Sequence, residues 1–161
     1  MPTSILFNKD NHAVSWGYEA EAFDLAKDKT GMRLVRRVKL HLAAADARRN
    51  PHDLSPLPPG MSATDVIAAY LRLMKEYILS KAASPLQRDR LDCREIKWVL
   101  TVPAIWSDSA KDAMIRAAEM AGMVSGRHTP AADLASKHPL ELSLEPEAAL
   151  LACLHSTLSI N

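Results

Sequence analysis

Two residues of this sequence stand where a side chain could meet a ligand. Glu145 falls between a β-prone run, Leu140–Leu144, and a helix opened by Pro146. In open α/β sheets ligands bind at such a place, outside the carboxyl end of a strand. The same position also suits a plain helix-entry glutamate, favoured by the N-terminal amides of its own helix. Lys39 lies in a basic and apolar run, Arg33–Leu42. One reading of that run is a phosphate-binding patch, and the other is a solvated strand or helix face.

Other chemistries lack their residues. The sequence has no Gly-x-Ser-x-Gly elbow for a serine nucleophile. Its six histidines, at 12, 41, 52, 128, 138 and 155, are scattered, and none has another four residues away, so no metal site is expected. Asp108 and Asp112 share a helix face and read as a solvated pair. Cys93 and Cys153 fit neither a Cys-x-x-Cys pair nor a metal spacing, and read as reduced thiols in a cytoplasmic protein. The five glycines, at 17, 31, 60, 122 and 126, are too far apart for a Gly-x-Gly-x-x-Gly or Walker-type loop. The backbone cradle that such loops offer a phosphate is therefore missing from these residues.

The chain has 161 residues, 48% of them apolar and 24% charged, which suits one globular domain or a piece of one. Twenty Lys and Arg oppose nineteen Asp and Glu, so the net charge of +1 gives no bulk attraction to nucleic acid or to acidic membranes. No apolar run reaches the length of a membrane span. Asn8 to His12 would interrupt the apolar core of a signal peptide.

The elements that must place Glu145 and Lys39 follow from periodicity. Thr3–Phe7 and Ala13–Tyr18 flank an Asn-Lys-Asp-Asn turn and predict a hairpin. Glu19–Lys29 favours a helix, with Gly31 suited to cap it. Arg33–Leu42 fits strand and helix periods equally. Residues 50–62 hold four prolines and Gly60, and predict a loop between subdomain elements. From Thr64, a plausible N-cap, to about Ser80 runs a helix with apolar stripes on two sides, suited to burial between layers. Ile96–Val102 predicts a central strand buried on both faces, ended by Pro103. Ser107 caps a helix to about Ala121, whose alanine strip suits close packing on a sheet, with Gly122 as C-cap. Gly126–Lys137 reads as a loop, Leu140–Leu144 as a strand, and Pro146 to about Leu154 as a helix. Strand, helix, strand, helix predicts a parallel pair with a right-handed crossover.

Two blocks within this pattern are specific. KWVLTVPAIWSDSAKDAMIRAAEMAGM, ending at Met123, resembles the strand, Val-Pro-Ala and helix element of the heat-shock protein 70 nucleotide-binding domain. LELSLEPEAAL, from Leu140, resembles that family's Glu-Pro-x-Ala-Ala element, and the wording of both is nearest to the divergent branch 12. Upstream, PTSILF and Trp16–Ala20 resemble the family's opening hairpin, Val38-Lys39-Leu40 its lysine-bearing element, and LRLMKEYIL its connecting helix. The blocks cover well over half of the chain, in the family's order.

The resemblance implies an α/β fold: a partial actin-like ATPase (ribonuclease H-like) first lobe over residues 1–161, with mixed sheet, βαβ unit and flanking helices. It implies ATP and magnesium as cofactors, and protein partners or clients. The family's cleft glutamate, near metal and attacking water, maps to Glu145, and its catalytic lysine, near the γ-phosphate, maps to Lys39. The family's two phosphate loops, Asp-x-Gly-Thr and Asp-Leu-Gly-Gly-Gly, are not among these residues. The expectation is a first-lobe segment with little or no ATPase activity of its own. The alternative is a share in a functional ATP-dependent chaperone whose remaining segments lie outside this sequence.

Overall fold

Asn8 reverses the chain at its first hairpin: its Oδ1 accepts from the backbone N–H groups of Asp10 (3.0 Å) and His12 (2.9 Å). This Asx turn joins β1 (Ile5–Phe7) to β2 (Ala13–Trp16), which pair antiparallel with Ile5 opposite Trp16. The hairpin was legible, but β2 stops at Trp16. Gly17, at φ +62°, turns the chain directly into α1 (Gly17–Glu21). The helix expected over Glu19–Lys29 thus starts earlier and ends at Glu21. The computed structural model describes residues 2–23, 30–43, 54–82, 91–126 and 135–158. Residues 24–29, 50–53 and 127–134 of the expected helix and loops lie outside the described residues.

The ambiguous run Arg33–Leu42 divides. β3 (Arg33–Val35) adds antiparallel to β1, giving the sheet order β2-β1-β3, and α2 (Val38–Ala43) follows. Both periodicities were present because both elements are. The break between them is Arg37, at φ +54°.

Ser62, not Thr64, caps the long helix α3 (Ala63–Ala82). Its Oγ accepts from the Asp65 N–H at 3.2 Å while Asp65 Oδ2 accepts from the Ser62 N–H at 2.8 Å. This reciprocal capping box satisfies two donors that the helix leaves orphaned. Val66, Ile67, Tyr70 and Leu71 are buried, whereas Tyr77 is exposed, so burial between layers holds for the first half of α3. Trp16 of β2 meets Tyr70 edge-on at 5.5 Å, which ties the hairpin to this helix.

β4 (Val99–Val102) and β5 (Glu141–Leu144) pair in parallel, with Val102 beside Leu144. Between them runs α4 (Asp108–Met120), whose cap Ser107 accepts from the Ala110 N–H at 3.2 Å. Gly122 follows at φ +67°. The expectation of a strand buried on both faces is corrected. β4 is shorter, Val99 is 50% exposed, and only Val102 is fully enclosed. Among the described residues β4 has β5 alone as a neighbour, so its other edge is open. A second correction concerns α4. Its Ala110, Ala113, Ala117 and Ala118 are buried, and the helix as a whole packs chiefly on α3 rather than on the sheet.

The architecture is mixed α/β, with an antiparallel and a parallel sheet, a main core and a smaller cluster of Leu6, Ala20 and Leu34, consistent with a partial actin-like ATPase lobe. The last helix, α5 (Glu145–Leu158), starts one residue before Pro146 and runs past Leu154. Among the described residues no helix is long and apolar enough to cross a membrane.

Candidate functional site

Lys39 sits on the first turn of α2 and Glu145 is the first residue of α5. β5 ends at Leu144, so the chain changes from strand to helix between Leu144 and Glu145. Glu147 supports that change, since its Oε2 accepts from the Leu144 N–H at 3.3 Å. This is the side-chain half of a capping box, and it leaves the Glu145 carboxylate at the carboxyl end of the parallel pair.

The structure brings the two sequence-predicted residues together. Lys39 Nζ donates to Glu145 Oε1 at 3.2 Å and to the Thr101 carbonyl at 3.0 Å. Thr101 lies on β4, one residue before its end. Its carbonyl belongs to the open edge. Glu141 N–H bonds to the Trp98 carbonyl, and alternation along a parallel ladder turns Leu100 and Val102 toward β5 and Val99 and Thr101 away from it. The lysine therefore spans from the edge of one strand to the end of the next. The Lys39 and Glu145 side chains are 33% and 46% exposed, so their pair is screened by solvent.

Beside the pair lies a largely apolar cavity of about 240 Å³, lined among others by Val38, Ile67, Leu71, Thr101 and Met114. It runs along the open edge of β4 with Lys39 in its wall. Nearby in sequence, His41 has its pKa lowered by burial, and its enclosed Nε2 has no hydrogen-bond partner among the described residues.

The donor set decides what this arrangement can hold. It offers one ammonium, already neutralised by one carboxylate, and a carbonyl acceptor. It offers no row of backbone N–H groups for a triphosphate. Among the described residues no three His, Cys, Asp or Glu come together for a metal. These residues alone do not fit ATP with magnesium.

Sequence reasoning singled out Lys39 and Glu145, which the structure brings into contact, but not the Glu147 and Thr101 groups that bond at this place. Glu147 was legible as an acid three residues after the helix boundary at Leu144. The Thr101 carbonyl carries no residue-type signal, because any residue at that strand position supplies one.

No family model matches the chain. It is 30% identical over 157 residues to mouse heat shock 70 kDa protein 12A, a match that covers 94% of this chain and 22% of the mouse protein. Human heat shock 70 kDa protein 12A is 31% identical over the same span. Human heat shock 70 kDa protein 12B is 31% identical over 170 residues, covering 99% of this chain and 23% of that protein. The chain thus spans less than a quarter of the length of these curated relatives. On this near end-to-end similarity, with the matching mixed α/β architecture, the chain belongs to the heat-shock protein 70 family and corresponds to a segment of its 12A and 12B members.

Proposed function

We propose that the chain is a first-lobe segment of a heat-shock-70-type nucleotide cleft that presents Lys39 and Glu145 but does not hydrolyse ATP by itself. The observation that carries this reading is the Lys39–Glu145 pair at the carboxyl ends of β4 and β5. Residues from opposite ends of the chain converge there, at the place where open α/β sheets bind ligands. The absence of hydrolysis follows from the donor set. Phosphoryl transfer is positioning and charge stabilisation, and one neutralised lysine supplies little of either. As an isolated chain its role is interaction with other proteins, in the cytoplasm, to which the two thiols without a disulfide are suited.

A second reading is favoured by the length of the relatives. Within a longer polypeptide the same pair would serve an ATP-dependent chaperone, with ATP and magnesium held mainly by other segments. One assay separates the two. The purified 161-residue chain, incubated with ATP and magnesium, is expected to release no phosphate above background. Turnover that disappears in Glu145→Gln would overturn the first reading. In a chimera supplying both phosphate loops, Glu145→Gln is expected to slow hydrolysis while sparing nucleotide binding.

A further inference from the structure

The three residues before Lys39 are each pinned. Arg36 is held twice: its backbone N–H donates to Ser55 Oγ at 3.1 Å, and its Nε donates to Glu21 Oε2 at 2.9 Å. Glu21 ends α1, and its other oxygen accepts from the hydroxyl of Ser4, which is only 2% exposed. Arg37 then takes the left-handed region at φ +54°, a conformation that side-chain-bearing residues avoid. Its carbonyl accepts from the Leu40 N–H at 2.8 Å. Val38 is buried, and its N–H donates to the Thr3 carbonyl at 3.1 Å. Lys39 comes next, with its ammonium on Thr101 and Glu145.

A left-handed corner aims the following residue only while both flanks are fixed. If one flank loosens, the strained residue relaxes toward the extended or right-handed region, and the side chain beyond it swings away. The far flank is held by Val38 in the core. The near flank is held by Arg36, whose backbone is fixed by Ser55 and whose side chain is fixed by Glu21.

We infer that Arg36 is a positioning residue: the Ser4–Glu21–Arg36 relay holds the corner at Arg37 and so aims the Lys39 ammonium at Thr101 and Glu145. The inference rests on reading Lys39 and Glu145 as the cleft pair. Arg36 itself is half exposed and does not touch that pair. A surface ion pair with no further role would contribute modestly to stability and would leave Lys39 unaffected.

The test reads Lys39 directly, without nucleotide, in the whole 161-residue chain. The Nζ resonance of Lys39 is assigned by its loss in Lys39→Arg, and its shift on Glu145→Gln reports the ion pair. Arg36→Met is expected to abolish that shift. Arg36→Lys, which keeps a cationic donor for Glu21, is expected to restore it. Glu21→Ala attacks the relay from its other end and is expected to repeat the loss, so the inference stays exposed to test even if Arg36→Met does not fold. A full shift retained in both Arg36→Met and Glu21→Ala would overturn the inference while leaving the cleft reading intact. No shift on Glu145→Gln in the unaltered chain would overturn the pair itself and the inference with it.

Discussion

Lys39 donates to Glu145 at 3.2 Å across 106 positions of the chain, and the same ammonium reaches the Thr101 carbonyl at 3.0 Å. Two helices that share no sheet are thereby joined over the end of β4. Both side chains keep a third or more of their surface in water, so the link carries information about position more than it carries stability. Glu145→Gln and Lys39→Met should each change unfolding free energy by less than ~1 kcal/mol. Urea denaturation checks this. A several-fold larger loss for Glu145→Gln would mark the glutamate as structural.

The α3–α4 interface should respond far more strongly. Ala117 is fully enclosed on α4, the helix that packs chiefly on α3. Leucine at 117 adds volume to a contact without room for it, and overpacking of this kind costs ~1–3 kcal/mol. Thermal denaturation of Ala117→Leu should show a lower midpoint. An unchanged midpoint would place Ala117 on a face with space to spare.

The cap of α3 offers a cleaner local test. Ser62→Ala removes the acceptor for the Asp65 N–H and should cost ~1 kcal/mol, whereas Thr64→Ala should cost little. Comparing the two by urea denaturation decides which residue starts the helix. An equal or larger loss for Thr64→Ala would contradict the observed boundary.

How far these features were legible follows from their range in sequence. The Asx turn at Asn8 and the cap at Ser107 are local signals, each readable from a few residues, and the parallel pairing of β4 with β5 follows from the strand, helix, strand order. The cap at Ser62 was misread by two positions because Thr64 also precedes the apolar stripe, and only the reciprocal bond with Asp65 distinguishes them. The packing of α4 was misassigned because an alanine strip specifies closeness and not the partner. Lys39 and Glu145 were each recognisable, but no pattern within either segment reveals that they meet. The left-handed backbone at Arg37, two residues before Lys39, was equally unreadable, because the residue type argues against it.

The pH dependence of stability has a definite sign. The Ser4 hydroxyl, followed by Arg36, holds the Glu21 carboxyl below its ordinary value of 4.5. Arg94 beside Asp92 holds that carboxyl down to about 2, from an ordinary value of 3.8. Depressed folded-state values stabilise the charged forms, so both contributions are complete above the ordinary values and are lost as pH falls through the depressed ones. Stability should therefore decline on acidification below about pH 4.5, and Glu21→Gln should flatten the upper part of that decline. Urea midpoints measured across this range give the comparison. A slope unchanged by Glu21→Gln would show that Glu21 titrates alike in the folded and unfolded chain.

On the proposed function, this segment presents a cleft pair without the donors to hold a nucleotide by itself. Calorimetric titration of ATP with magnesium into the purified 161-residue chain tests it most directly. Micromolar affinity represents about 8 kcal/mol of binding free energy, which one ammonium already paired with a carboxylate does not supply. No saturable heat is expected at micromolar concentrations. Saturable micromolar binding, abolished by Lys39→Met, would contradict the proposed function.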